Sequence, residues 1–250
     1  MTRAKRFFIP GYIWHLTSRC VNREFLLKFN LDKKRLIFWL YQARLRFNIS
    51  ILNYAITSNH IHIILTNRTD INDIPKAMQL ALGRIAQEYN TRKGRQGPFW
   101  QDRYHATAIE SGKHLLNCMV YVDFNMVRAG VVNHPRDYPF CGYQEITGRK
   151  NRFNLIDKPK LAELLNLNLC ELSSLYEDHI NQCLGTTFLE KEEKWTSSLA
   201  VGSFNFLEQF KSRLGIKAKN KIIQPDQNAN QRECDTFLLP ARKKLEWTKT

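Results

Sequence analysis

The stretch "ISILNYAITSNHIHIILT", residues 49–66, reads as two strands, 49–57 and 60–66, joined at Ser58-Asn59. Isoleucine and other strand formers recur through both halves, and Ser-Asn supplies turn chemistry. Two strands separated by two residues make a β-hairpin. What flanks this hairpin decides the fold.

Upstream, "NLDKKRLIFWLYQARLRFN" (30–48) places Leu36, Ile37, Leu40, Tyr41 and Leu45 at helical spacing, with Asn30 or Asp32 as N-cap. Before it, "GYIWHLTSRC" (11–20) is rich in β-branched and aromatic residues and reads as a strand. Downstream, residues 70–94 form an amphipathic helix, with Asp73 as cap, Pro75 in the first turn and Gly94 past the end. "RYHATAIES" (103–111) is a fourth strand, and residues 112–130 are a third helix ended by Gly130.

The order β-α-β-β-α-β, followed by a helix, is that of an α+β, ferredoxin-like fold: an antiparallel four-stranded sheet with helices on one face. It should fill residues 1–145. Residues 146–216 then read as a small helical extension. In it Leu161, Leu164, Leu165, Leu172 and Leu175 form an apolar set, and Ser203 caps a helix over 203–215 with Phe206, Phe210 and Leu214 on one face. Residues 217–250 read as a polar, flexible tail.

The chain has 250 residues, 43% hydrophobic and 12% aromatic, enough for a sizeable core. No apolar run approaches the ~18 residues that span a bilayer, and no secretory leader pattern opens the chain, so a cytoplasmic protein without a membrane partner is expected. Cysteines 20, 118, 141, 170, 183 and 234 are scattered without a CxxC pair, which argues against a disulfide framework or a zinc ribbon. The net charge is +15, and it is unevenly placed: residues 1–150 hold 23 basic against 10 acidic residues, the remainder 15 against 13. A folded region this basic is suited to a polyanion, nucleic acid first.

His60 and His62 are two apart on a strand and so project to the same face. Two neutral imidazoles can share a cation, or they can be a satisfied structural pair at a strand start. Tyr121 and Asn125, four apart, share a face of the third helix. The Asn125 amide oxygen can complete a His-His-amide metal site, with Tyr121 one turn away as a nucleophile toward a phosphodiester. Read singly, Tyr121 is a core aromatic and Asn125 a helix cap.

Together these blocks resemble the HUH single-tyrosine transposases, most closely the REP-associated tyrosine transposase group. "SNHIHIIL" (58–65) is similar to the HUH motif, and "YVDFNMVRAGVV" (121–132) to the catalytic segment, tyrosine-x-x-x-asparagine followed by V-R-A-G. "GPFWQDRYHATAI" (97–109) and "RFFIPGYIWHLTSRCVNRE" (6–24) resemble the family's stretches before the last strand and around the first. The family commonly has proline after the asparagine. Here Met126 stands there, which leaves either a longer helix or a less constrained site but removes no functional group, so activity is expected to survive.

The resemblance implies a nuclease domain that acts on single-stranded or hairpin DNA. His60, His62 and Asn125 would hold Mg²⁺ or Mn²⁺. Tyr121 would attack phosphorus to leave a 5′-phosphotyrosine and a free 3′-OH, so that rejoining needs no ATP. The molecule would be a monomer or a homodimer. For DNA contact, Arg3, Lys5 and Arg6 form a basic arm next to Phe7 and Phe8. Arg92, Lys93, Arg95 and Arg103 flank the loop that carries Phe99 and Trp100. Cations for phosphate beside aromatics for base stacking are what a single strand requires. A non-catalytic single-strand-binding protein on the same fold is the alternative reading.

Overall fold

The computed structural model describes residues 8–150, 154–185 and 192–214. Arg3, Lys5, Arg6, Phe7, Gly215 and the 217–250 tail lie outside the described residues. The first part of the chain runs β1 (Ile13–Arg19), α1 (Asn30–Arg46), β2 (Ile49–Ile56), β3 (His60–Asn67), α2 (Asp73–Lys93), β4 (His105–Ile109) and α3 (Lys113–Asp123). These are the expected elements in the expected order. Strands β2, β3, β1 and β4 lie side by side in that order, each pair antiparallel, which is the ferredoxin-like arrangement.

Register assigns the faces. Thr17 stands opposite both His62 and His105, Arg19 opposite His60, and His15 opposite Thr107. One face therefore carries His15, Thr17, Arg19, His60, His62, His105 and Thr107. The other carries Trp14, Leu16, Ile61, Ile63 and Leu65, all buried. Helices α1 and α2 pack along each other and against β2, and α2 also against β3. They are the helices of the expected single layer over this apolar face, while α3 crosses the histidine face.

Details of the helices differ from the sequence reading. Leu36, Ile37, Leu40 and Ala43 are the buried stripe of α1, whereas Leu45 is 62% exposed because it falls on the far side of the helix. Neither Asn30 nor Asp32 caps α1, and no side chain caps α2. Asp32 is instead 1% exposed and ion-paired with Arg92, tying the start of α1 to the end of α2. Gly94 ends α2 at φ 59°, the left-handed conformation that glycine adopts without a Cβ clash.

Two features hold α3 in place. The Asn53 amide on β2 donates to the Met119 carbonyl at 3.2 Å, in the middle of the helix. Behind it, Gly142 leaves room for that amide: a Cβ there would meet Asn53 Oδ1 at 1.9 Å. The expected 112–130 helix breaks at Phe124 (φ −78°, ψ 1°), and a single turn, α4 (Asn125–Arg128), follows. The bend thus forms without proline, and Met126 is buried where that ring would be.

The rest of the chain forms α5 (Tyr143–Ile146), α6 (Lys158–Leu165), α7 (Leu172–Cys183), α8 (Lys194–Ser197), β5 (Ala200–Val201) and α9 (Phe204–Leu214). Strand β5 is absent from the sequence reading. It pairs in parallel with β4 and makes the sheet five-stranded and mixed. Two residues carry no readable alternation, so nothing in the sequence announces it. Ser203 does cap α9, accepting from Phe206 N at 3.3 Å, and Phe210 packs edge-on to Trp14 at 6.0 Å. No helix among the described residues is long and apolar enough to cross a membrane.

Candidate active site

The histidine face of the sheet and the α3–α4 bend enclose a cleft of about 670 Å³. His60, His62, Tyr121 and Asn125 all line it, as do Arg19, Arg103 and Arg128. The hairpin supplies the histidines and the bent helix the other two, so the fold brings together all four residues that the sequence singled out.

Hydrogen bonds fix which edge each imidazole turns to the cleft. Asn59 Nδ2 donates to the Arg23 carbonyl at 3.1 Å, which leaves Asn59 Oδ1 facing His60 Nδ1 at 2.7 Å. An amide oxygen only accepts, so His60 Nδ1 carries the proton and Nε2 holds a lone pair. That Nε2 lies 3.2 Å from Asn125 Oδ1, one acceptor facing another. Asn125 Nδ2 is buried with no hydrogen-bond partner. A cation between the two acceptors satisfies both.

His62 is 3% exposed, and its Nδ1 lies 2.9 Å from Nε2 of the fully buried His15. The two rings lie nearly coplanar, edge to edge, with an interplanar angle of 13°. His15 Nδ1 in turn meets the Trp195 carbonyl at 2.9 Å. Burial lowers the pKa of His62 well below 6.5, with the neighbouring His15 and His60 adding to it. Burial brings His15 down to about 4. Neutral imidazoles are the ligand form. Two imidazole nitrogens and an amide oxygen fit a divalent cation, which His60, His62 and Asn125 would hold beside the cleft. Among the described residues no group of three His, Cys, Asp or Glu converges as a metal site, so this set depends on the amide.

Tyr121 stands beside the pair, its ring centroid 5.7 Å from His62 and 6.1 Å from His15. The residue is 5% exposed. Burial raises the phenol's pKa above its usual 10, and the Arg128 charge acts against that. Arg128 sits two turns on. Its guanidinium lies 4.4 Å over the Tyr121 ring, and Nη2 donates to the Tyr121 carbonyl at 2.6 Å. Arg128 Nη1 is buried with no hydrogen-bond partner, although the residue lines the cleft.

The candidate DNA contacts are dispersed. Arg103 lines the cleft. Arg92 is paired with Asp32, Lys93 lies 5.4 Å over the Phe29 ring, and Arg95 donates to the Pro98 carbonyl at 2.8 Å. Trp100 is half-buried and spends its indole N–H on the Leu82 carbonyl at 3.0 Å. Sequence reasoning missed His15, Arg128 and the Trp195 carbonyl. The alternation of β1 could have placed His15 with the pair, and Arg128 belongs to the quoted V-R-A-G. A main-chain carbonyl leaves no sequence signal.

Fold and site together define a class: a ferredoxin-like sheet presenting paired histidines to a tyrosine on an adjoining helix. Residues 9–125 match the family model described as IS200-like transposase. The likeness drawn from the motifs is thus shown over that stretch, slightly under half of the chain. Among solved structures, a REP-associated tyrosine transposase bound to a REP hairpin is similar, with 21% identity, a TM-score of 0.49, and 60% of this chain and 87% of that one covered. No curated protein sequence matches the chain.

Proposed function

We propose that this protein cleaves and rejoins single-stranded DNA at a hairpin, with Tyr121 as the nucleophile and His60, His62 and Asn125 as ligands of Mg²⁺ or Mn²⁺. The observation that carries this reading is the convergence of the Tyr121 ring and the two imidazoles on one cleft, 5.7 Å from Tyr121 to His62.

When bound, the cation would polarise a phosphodiester oxygen. The protein's own groups do the rest. Tyr121 Oη bonds to phosphorus and releases its proton to the cleft. The 3′ oxygen leaves and takes up a proton, so one phosphoester replaces another. The reverse step uses the same groups. Arg128, which lines the cleft and has Nη1 without a hydrogen-bond partner, would supply a fixed donor to the developing charge. Arg103 at the mouth, Lys93 and Arg95 around the 92–100 loop, the Trp100 face and the arm at Arg3, Lys5 and Arg6 hold the strand, whereas Arg92 is spent on Asp32.

The test is a denaturant-resistant adduct between the protein and a hairpin oligonucleotide with a single-stranded flank. The parent should form it with Mn²⁺, and Tyr121→Phe should bind the oligonucleotide without forming it. An adduct of full yield in the variant would remove Tyr121 as nucleophile. One observation favours a second reading, a single-strand-binding protein without chemistry: Tyr121 is 5% exposed with its pKa pushed up by burial. Tight binding with no adduct from the parent in either metal would establish that reading.

A further inference from the structure

We propose that His15 is a positioning residue that sets the tautomer of His62, and that the main-chain carbonyl of Trp195 sets His15 in turn. The inference rests on the reading of His62 as a metal ligand, and it makes a segment far downstream of the hairpin part of the site.

The direction of the chain follows from its first member. A carbonyl oxygen only accepts, so His15 Nδ1, 2.9 Å from Trp195 O, carries a proton. His15 is fully buried, and a buried imidazole is neutral unless an anion holds its charge. Its Nε2 is therefore a lone pair. That lone pair faces His62 Nδ1 at 2.9 Å, so His62 Nδ1 must donate. The proton of a neutral His62 is then on Nδ1, and Nε2 is bare. Reversing the arrows would require a charged His15, with Arg19 and Arg128 on the same cleft.

A ring placed only to fill space would be apolar. His15 instead spends both nitrogens on directed bonds, and the in-plane bond to His62 keeps the two rings nearly coplanar. The Trp195 carbonyl sits over β4, where the single proton of Thr107 Oγ1 is shared between it at 3.2 Å and Ser198 O at 2.8 Å. His60 has its own relay through Asn59 and the Arg23 carbonyl, so each ligand is oriented by a different loop. Groups that orient a ligating imidazole typically change metal affinity by about 10–100-fold when lost.

The experiment uses the full chain labelled with ¹⁵N-histidine and read by long-range ¹H–¹⁵N correlation without metal, followed by Mn²⁺ titration monitored by electron paramagnetic resonance. In the parent, His62 and His15 should both be protonated on Nδ1. His15→Gln should keep the His62 tautomer, since its amide oxygen can accept from His62 and its amide N–H can donate to Trp195. His15→Phe should leave His62 as a tautomer mixture and weaken Mn²⁺ binding by about 10–100-fold. A parent His62 protonated on Nε2 would overturn the proposal, as would a folded His15→Phe with unchanged Mn²⁺ affinity. Should His15→Phe not fold, the parent spectrum and His15→Gln decide. A parent that binds no Mn²⁺ but shows the stated tautomers would defeat the metal reading and leave the relay standing.

Discussion

The guanidinium of Arg128 lies 4.4 Å over the ring of Tyr121 while donating to the main-chain carbonyl of the same residue. One side chain thereby braces the α3–α4 bend and brings a buried positive charge next to the phenol. Arg128→Gln should keep the fold and slow adduct formation by about 100–1000-fold, because one fixed donor to developing charge is worth about 3–4 kcal/mol. Arg128→Lys should recover only part of it, since a compact ammonium lacks the planar fork whose separate nitrogens reach two acceptors in fixed directions. Single-turnover adduct kinetics decide this. Unchanged rates in Arg128→Gln would restrict the residue to a structural role.

His60→Ala and His62→Ala should each abolish adduct formation, and excess chelator should do the same to the parent. Their effects on stability should differ. His60 is half-buried, whereas His62 is 3% exposed and satisfies His15, so His62→Ala also leaves a buried acceptor unpaired, at about 1–3 kcal/mol. Chemical denaturation beside the adduct assay separates the two losses. Full-rate cleavage in excess chelator would end the metal reading.

Arg92 looks like a phosphate contact in the sequence, but it is paired with a carboxylate that is 1% exposed. Arg92→Ala should therefore cost about 1–3 kcal/mol of stability, and Arg92→Ala with Asp32→Asn should recover part of that. If Arg92→Ala weakens DNA binding with no change in melting temperature, the pairing with Asp32 is not what holds it.

His179 is 4% exposed, and burial lowers its pKa to about 4. The unfolded chain binds its proton near 6.5. Its contribution is thus fully present above pH 6.5 and is lost as pH falls through 4, each tenfold difference in proton affinity between the folded and unfolded chain being worth about 1.4 kcal/mol. Asp123 works in the opposite sense. Burial raises it to about 7, so it costs stability progressively as pH rises from 3.8 to 7. Comparing the parent with His179→Gln cancels the Asp123 contribution. The parent should lose more stability than the variant between pH 7 and 4, and parallel curves would refute the assignment.

Binding to a flanked hairpin should weaken with salt, since each phosphate contact on a single strand adds about −0.7 to the slope of log K against log salt. Replacing Arg3, Lys5 and Arg6 by alanine should flatten the slope by up to about 2 units. Tyr121→Phe should not move it. A flat response in the parent would mean that the +15 chain serves another partner.

The ferredoxin-like order is legible because its strands and helices alternate with clear periods, and the site because Tyr121 and Asn125 are one helical turn apart and His60 and His62 one pleat apart. What escapes depends on pairing rather than on local pattern. His15 joins the histidines only once β1 and β3 are in register. Strand β5 exists only because β4 offers an edge. The break at Phe124 has no proline to mark it, and the exposure of Leu45 follows from the direction of the α1 stripe, which five apolar positions alone overstate.

The two-residue strand β5 also orders events in time. A ribosome delivers β1 through β4 and α3 well before it delivers Trp195 and the strand that follows. Until then the outer edge of β4 has no partner, and His15 Nδ1 and the Thr107 hydroxyl lack the carbonyls they meet in the finished molecule. The nascent chain thus acquires Tyr121 and all three candidate ligands early and their support late. A polypeptide still attached to its ribosome holds the parts of the proposed site before it can hold them still.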